Sequence, residues 1–295
     1  MKWGRLIGSV AIFAVLVWRL GAGPFLDGIR TVDAWSLTAA VLLAVVTTVC
    51  CAWRWKLVAR GLGVHLPLPA AIAAYYRSLF LNVTLPGGVV GDVHRGVSHG
   101  RDVSDVGLAL RAVALERFAG QVVQIVLTVG VLLVLPSPVH SAMPFVTAGL
   151  VLAAAGLVVV ARAWAPARRD IRDGLLRRRA WPAIALASTL VVLGHAATFV
   201  LAARTAGIGA PVSQLVPLAL LVMLIMVVPS VGGWGPREGG SAWAFAAVGL
   251  GASSGVTTAV AYGVMVFVST LPGAAVLVLS WARRIRFPER SAAHA

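Results

Sequence analysis

Apolar segments separated by short polar loops make up most of this chain. They lie at residues 6–22, 35–53, 69–83, 112–135, 143–162, 181–203, 213–229, 240–250 and 257–281. A helix needs about 20 residues to cross the ~30 Å apolar core of a bilayer. Most of the segments reach or approach that length, whereas 69–83 and 240–250 are short. The pattern predicts about six spanning helices, at 6–22, 35–53, 112–135, 143–162, 181–203 and 257–281.

Two stretches interrupt the apolar pattern with glycine, proline and charge. The first runs from Leu85 to Arg95, and the second runs from Val228 to Gly240, directly after segment 213–229. Unwound backbone and charge are costly inside a membrane, so they usually lie where a substrate is handled. The residues that we expect to break the helices are Pro86, Gly87, Gly88, Gly91, Pro229, Gly232 and Gly233.

The composition agrees with a membrane protein. Hydrophobic residues make up 59% of the chain and charged residues 12%, and the mean hydropathy is +0.91. A soluble domain would have about a quarter of its residues charged. The net charge is +15, and the basic residues lie in short loops, which indicates contact with anionic lipid headgroups rather than nucleic acid. We therefore expect residues 1–295 to form a single all-α polytopic membrane domain.

Basic clusters predict which parts of the chain face the cytoplasm. They lie at the N-terminus, after segment 35–53, in the loop 163–180 and in the tail 282–295. The first two clusters consist of Lys2 and Arg5, and of Arg54, Lys56 and Arg60. We expect both termini to be cytoplasmic and the protein to lie in a bacterial-type plasma membrane.

These cytoplasmic clusters limit how the two interrupted stretches can be placed in the membrane. Residues 69–111 must begin and end on the cytoplasmic side, and residues 213–256 must begin and end outside. Each stretch is either a complete hairpin or a re-entrant one, and the short broken segments favour two re-entrant helical hairpins. The halves 1–135 and 143–281 then have the same order of elements in opposite orientation. Such an inverted repeat is common in secondary transporters.

The two tips provide groups that suit an anion. Free N–H groups and the positive end of the dipole at a helix N-terminus favour phosphate, and Arg95 and Arg237 add guanidinium groups. We expect Asp92 to be the N-cap of one half-helix, with Pro236 and Glu238 in the first turn of the other. The alternative is that Asp92 and Glu238 only cap helices and pair with the neighbouring arginines.

A polar stripe follows the first tip. Arg117, Gln121, Gln124 and Thr128 recur at helical spacing on one face. They line a polar groove or form hydrogen bonds between helices. Glu116 pairs with Arg111 or meets an ammonium headgroup. We expect no metal and no cofactor, because no ligand spacing and no nucleotide-binding motif occurs.

Three groups of residues resemble the flippase-like, lysylphosphatidylglycerol-synthase transmembrane-region family. They are Asn82-x-x-Leu85-Pro-Gly-Gly-x-x-Gly-Asp92-x-x-Arg95, the Glu116-Arg117 pair, and Pro229-x-x-Gly232-Gly-x-Gly-x-Arg237-Glu238. The resemblance covers essentially the whole chain. In the multiple peptide resistance factor, the related domain is fused to a second membrane section and a soluble aminoacyl-transferase domain. The family link implies translocation of an aminoacylated phosphatidylglycerol between leaflets, and functional importance for Asp92, Arg95, Glu116, Arg117, Arg237 and Glu238.

The resemblance leaves the cargo open. These 295 residues contain no transferase domain, so we expect the chain not to be an enzyme. The leading hypothesis is a translocase for an anionic phospholipid or a polyprenyl-phosphate-linked lipid. Arg95, Arg117 and Arg237 would hold the phosphate, and Asp92, Glu116 and Glu238 would hold a cationic group or balance the arginines. The alternatives are a non-transporting scaffold for a separate lipid-modifying enzyme, and an intramembrane lipid-modifying enzyme that uses Asp92 and Glu116.

Overall fold

The computed structural model describes most of the chain. The described residues are 14–85, 88–135, 165–178, 180–226 and 234–286, with isolated positions at 12, 137–139, 141, 143 and 147–149. The predicted segments 6–22 and 143–162 therefore fall partly or largely outside the described residues. The two tips are described only in part, and most of the tail 282–295 is outside as well.

Every element with defined bounds in the described ranges is an α-helix, which confirms the all-α prediction. In chain order the helices are α1 (Gly23–Arg30), α2 (Ala34–Gly61), α3 (Leu68–Thr84), α4 (Val90–Asp102), α5 (Val106–Val134), α6 (Ala165–Gly174), α7 (Trp181–Thr205), α8 (Val212–Ile225), α9 (Pro236–Ala247) and α10 (Ala252–Arg286).

Four of the described helices are long and apolar enough to cross a membrane, and the chain is a multi-pass membrane protein. The candidate spans are Ala34–Gly61, Val106–Val134, Trp181–Thr205 and Ala252–Trp281. These helices correspond to the predicted spans 35–53, 112–135, 181–203 and 257–281.

The prediction that a loop begins at Arg54 was wrong. The helix α2 continues through Arg54, Lys56 and Arg60 to Gly61. Arg54 is only 5% exposed, and a carboxylate from another helix neutralises its charge. The charge that indicated a loop is therefore held inside the protein.

The helices next to the two tips are shorter than the spanning ones. The first tip lies between α3, with 17 residues, and α4, with 13. The second lies between α8, with 14 residues, and α9, with 12. At 1.5 Å per residue these helices rise by roughly 18–26 Å, less than the ~30 Å apolar core of a bilayer.

The centre of the protein is an antiparallel pair, α2 and α7. Arg54 on α2 hydrogen-bonds Ser188 on α7, while Thr47, two turns earlier on α2, lies against Gly194, which is later on α7. A Cβ on Gly194 would lie 2.3 Å from Cγ2 of Thr47. The absence of a side chain at this position allows the two helices to pack closely.

The second set of four helices repeats the order, spacing and contacts of the first. Helices α2, α3, α4 and α5 begin at residues 34, 68, 90 and 106, and α7, α8, α9 and α10 begin at 181, 212, 236 and 252, which are offsets of 147, 144, 146 and 146. Helix α3 packs on α2 and α4, and α4 packs on α5; α8 packs likewise on α7 and α9, and α9 packs on α10. The cross-contacts correspond too, since α2 meets α10 as α7 meets α5.

Close backbone packing at Gly273 gives a test of this arrangement. An added Cβ on Gly273 of α10 would lie 2.1 Å from the carbonyl oxygen of Tyr76 on α3. Because backbone cannot move aside as a side chain does, we expect Gly273→Ala to lower the free energy of unfolding by about 1–3 kcal/mol. The matched control is Gly130→Ala, where nothing lies within 4 Å, and which should keep or raise stability by up to about 1 kcal/mol. Equal thermal-unfolding midpoints for the two variants in detergent would contradict the close α3–α10 contact.

Candidate functional site

Glu116 is the centre of a buried ionic network between α2, α3, α4 and α5. Its carboxylate is fully buried. It accepts hydrogen bonds from Arg54 through Nε (2.8 Å) and Nη2, from Arg95 Nη2 at 2.6 Å, and from the Tyr75 hydroxyl at 3.1 Å. Glu116 on α5 therefore joins cations from two other helices in one place.

Asp92 extends the network at the start of α4. Its two carboxylate oxygens accept hydrogen bonds from Ser78 Oγ (3.1 Å), Asn82 Nδ2 (3.0 Å), Arg95 Nε (3.0 Å) and Arg117 Nη2. A carboxylate in the first turn also interacts favourably with the positive end of the helix dipole. All of these donors come from α3, α4 and α5, so the carboxylate is fully engaged by the protein.

The expectation that Asp92 is the N-cap was wrong. Helix α4 begins at Val90, one residue before Gly91, and Asp92 lies inside its first turn. The cap comes instead from α3, where Asn82 Oδ1 accepts the Gly91 N–H at 2.8 Å. Asn82 thus satisfies an otherwise free N–H group with its amide oxygen, and its amide nitrogen donates to Asp92.

The expected break residues fall into three groups. Gly88 lies in the break with φ of +65°, a region that favours glycine. Gly91 lies inside α4 rather than in the break, and a Cβ there would be 2.0 Å from the Ser78 carbonyl oxygen. The others, Pro86, Gly87, Pro229, Gly232 and Gly233, lie outside the described residues.

Arg95 is enclosed by aromatic rings and carboxylates. Its side chain is fully buried. The guanidinium carbon lies 4.6 Å from the ring centroid of Trp55 and 4.2 Å from that of Tyr75, which is cation–π geometry. Of its nitrogens, Nη1 is buried without a hydrogen-bond partner among the described residues.

Arg237 and Glu238 form the corresponding pair at the second tip. Helix α9 begins at Pro236, as predicted, and Glu238 lies in its first turn. Glu238 Oε2 accepts the Gly235 N–H at 2.7 Å, and Oε1 accepts from Arg237 Nε (2.9 Å) and Nη2 (2.5 Å). Both charged side chains are buried, so the pair is neutral and enclosed.

Two of the buried arginines, Arg54 and Arg237, each lie opposite a glycine. A Cβ on Gly263 would be 2.3 Å from Arg237 Nη2, and a Cβ on Gly120 would be 2.7 Å from Arg54 Nη1. The Arg237 guanidinium also lies 4.5 Å from the Trp234 ring centroid. The space for each guanidinium therefore depends on the absence of a side chain on a neighbouring helix.

The polar stripe on α5 lines a cavity over most of its length. Arg117, Gln121 and Gln124 face a cavity of about 140 Å³ that Arg54 and His195 also line. The Arg117 side chain is 44% exposed, the most accessible charged group of the network. Thr128 is buried away from this cavity, and its hydroxyl has no hydrogen-bond partner in the described part of the chain.

The charges of the network do not cancel. Arg54, Arg95 and Arg117 provide three positive charges, and Asp92 and Glu116 provide two negative ones. Every oxygen of the two carboxylates already accepts at least one hydrogen bond. The site can therefore accommodate an added anion but offers no free carboxylate to a cation. The described residues contain no group of His, Cys, Asp and Glu side chains suited to hold a metal ion.

Several members of the network were not predicted from sequence. Arg54, Tyr75 and Ser78 were assigned no such role, and the suggested pairing of Glu116 with Arg111 was wrong, because Arg111 pairs with Asp170 at 3.1 Å. An arginine well inside a 28-residue apolar helix was the signal that could have identified Arg54.

The comparisons with known proteins identify a family. The family model for the lysylphosphatidylglycerol synthase TM region matches residues 6–273, which includes both tips and the whole ionic network. No curated protein gives a significant match.

The dependence of the network on Glu116 is testable by charge removal. We expect Glu116→Gln to lower the free energy of unfolding by about 3–5 kcal/mol, because two guanidinium groups lose their buried counter-charge. The control is Asp170→Asn, which breaks the half-exposed pair with Arg111 and should change stability by about 1 kcal/mol or less. Thermal unfolding in detergent compares them, and equal losses would contradict the central role of Glu116.

The cap supplied by Asn82 predicts a local effect at the first tip. Asn82→Ala removes both the acceptor for the Gly91 N–H and a donor to Asp92, so we expect a loss of about 1–3 kcal/mol. Hydrogen exchange should show faster exchange in the first turn of α4. Thr84→Ala, an exposed position two residues away, should stay within about 0.5 kcal/mol of the unchanged protein. Unaltered exchange at Gly91 would contradict the cap.

Proposed function

Because the chain belongs to the lysylphosphatidylglycerol synthase transmembrane-region family, we propose that it moves a phosphate-bearing lipid headgroup between the leaflets of the plasma membrane. The observation that carries this proposal is the surplus positive charge beside a polar cavity. Arg117 faces that cavity together with Gln121 and Gln124. Guanidinium and amide donors are the groups that hold phosphate oxygens in proteins.

The proposed architecture is an inverted repeat of the halves 1–135 and 143–281. Helices α3 and α4 form one re-entrant hairpin from the cytoplasmic side, and α8 and α9 form the other from outside. The short lengths of these helices, their repeated spacing and the antiparallel contact of α2 with α7 support this assignment. The termini, the loop 163–180 and the tail 282–295 face the cytoplasm, since basic residues concentrate there.

Arg117 is the direct phosphate ligand in this proposal. Arg117 is bound to Asp92 through Nη2, but its side chain is 44% exposed and faces the cavity. Arg54 and Arg95 are buried and bound to Glu116, so they act by maintaining positive potential next to the cavity rather than by leaving their partners. The same reasoning applies to the enclosed pair of Arg237 and Glu238 at the second tip. Of the two roles expected for the carboxylates, balancing the arginines is the one that the hydrogen bonding supports.

The hydrogen bonds that Asp92 and Glu116 already accept favour an anionic headgroup over a cationic one. A cationic aminoacyl headgroup would need an acceptor, and both oxygens of Asp92 and Glu116 are occupied. An anionic phosphodiester would meet Arg117 without displacing an existing bond of Glu116. An anionic phospholipid and a polyprenyl-phosphate-linked lipid share this chemistry, and their acyl or prenyl tails would remain in the bilayer.

Translocation in liposomes tests the role of Arg117. Purified protein is reconstituted with phosphatidylglycerol that has a fluorescent headgroup, and an impermeant quencher reports headgroup exposure. We expect Arg117→Gln to slow headgroup movement by about tenfold or more, since a charge-assisted hydrogen bond contributes about 1.5–3 kcal/mol. Arg111→Gln, six residues earlier on the same helix, should keep the rate within about twofold, because its half-exposed pair contributes little.

The outcomes separate the alternatives. Equal rates for Arg117→Gln and the unchanged protein would refute the site assignment. No headgroup movement by the unchanged protein, together with co-purification of a lipid-modifying enzyme, would support the scaffold alternative instead. Competition by a short polyprenyl phosphate, compared with competition by unlabelled phosphatidylglycerol, identifies which of the two lipid sources is preferred.

A further inference from the structure

His195 lies between two cavities at the α2–α7 interface. On one side is the cavity of about 140 Å³ that Arg117 and Ser188 line. On the other is a cavity of about 80 Å³ between α2, α3, α7 and α10, which Thr198 lines. Ser188 precedes His195 on α7 and Thr198 follows it, so the cavities lie toward opposite ends of this helix.

The smaller cavity is lined mainly by apolar side chains, and several hydroxyl groups lie among them. Its hydroxyl groups donate to carbonyl oxygens of their own helices, as Thr198 Oγ1 does to Gly194 (2.9 Å) and Ser269 Oγ does to Met265 (2.7 Å). Their lone pairs remain free to accept, since a hydroxyl oxygen has two of them. On this side, therefore, His195 shares a cavity with hydroxyl oxygens that can accept a hydrogen bond.

His195 lies between residues that belong to, or contact, the two tips. Its Nδ1 lies 3.4 Å from the Tyr262 hydroxyl, and the Tyr262 ring centroid lies 6.0 Å from the Arg237 guanidinium of the second tip. In the other direction, Ser188 lies two turns earlier on α7 and accepts a hydrogen bond from Arg54 of the first network at 3.0 Å. His195 therefore lies between residues that contact the charged groups of the two tips.

The charges around His195 couple proton binding to anion binding. The charged and titratable side chains that face it are Cys51 and Arg54 from α2, Tyr75 from α3, Arg117 from α5 and Tyr262 from α10. The described residues that line the two cavities include no carboxylate. Glu116 and Asp92 offset part of the charge of Arg54 and Arg117, but the network keeps one surplus positive charge, which would repel an imidazolium at His195. An anion placed beside Arg117 would offset that repulsion.

We propose that His195 takes up a proton when a phosphate headgroup enters the cavity, so that binding of the anion is coupled to binding of a proton. This inference rests on the proposed function. By linkage, an anion that favours the imidazolium must itself bind more tightly as the proton concentration rises. The occupied site then gains no net charge, because the proton on His195 balances the phosphodiester.

Calorimetric binding of a soluble lipid tests the coupling without a transport assay. Dihexanoylphosphatidylglycerol is titrated into the protein in phosphatidylcholine nanodiscs, in buffers of different ionisation enthalpy, which reports the protons taken up. The phosphodiester does not titrate near neutral pH, so these protons belong to the protein. We expect uptake of up to about one proton per headgroup and an affinity that rises about fivefold or more from about pH 8 to about pH 6.

Matched variants test whether His195 is the residue that binds the proton. His195→Gln should abolish the proton uptake and the pH dependence, while His65→Gln, an exposed histidine after α2, should keep both. Should His195→Gln fail to elute as a folded monodisperse species, Tyr262→Phe removes only the hydroxyl at Nδ1 and should shift the pH midpoint of binding. An unchanged midpoint in Tyr262→Phe would overturn the assignment to His195.

The two proposals fail in distinguishable ways. Binding of phosphatidylglycerol without proton uptake, or uptake that persists in His195→Gln, overturns proton coupling and leaves the proposed function standing. Absence of phosphatidylglycerol binding at every pH overturns the proposed function and the coupling with it. Equal binding of dihexanoylphosphatidylcholine would show that the site does not select an anion, which overturns the coupling and the anionic cargo class but not the movement of a phosphate-bearing headgroup.

Discussion

The ionic bonds of Glu116 are the constraint on which the rest of the structure depends. Burying an unpaired guanidinium is too costly for a membrane protein, and here Arg54 and Arg95 are both buried. One carboxylate on α5 satisfies them from two directions and also binds Tyr75. Because the charges are compensated, α2, α4 and α5 can meet around a polar interior, and Arg117 next to Glu116 is left at the edge of the cavity.

The two halves use the same backbone plan with different chemistry. Helix α9 starts 146 residues after α4, at 236 and 90, and Tyr262 stands at the same offset from Glu116. Where Arg95 meets a carboxylate from α5, Arg237 meets the Tyr262 ring from α10 and takes its counter-charge from Glu238 beside it. The network at the first tip therefore retains surplus charge, and the pair at the second tip is neutral.

The sequence predicted the features that depend on residues close together along the chain. Hydropathy located the long helices, and glycine with proline located the tips, because these signals are local. The partners of Glu116 could not be derived this way, since Arg54 lies 62 residues away and its pairing depends on how α2 meets α5. The sequence likewise indicated Asp92 as the N-cap of α4, whereas tertiary packing brings Asn82 to the start of the helix, where it accepts the Gly91 N–H.

The glycines opposite the buried arginines have an evolutionary consequence. At Gly120 and Arg54, and again at Gly263 and Arg237, the volume missing from one residue is occupied by the guanidinium of the other. A larger residue at either glycine excludes the arginine, and a smaller residue at either arginine leaves a void that a larger neighbour could fill. Each pair should therefore covary among relatives, so that substitutions harmful singly are tolerated together.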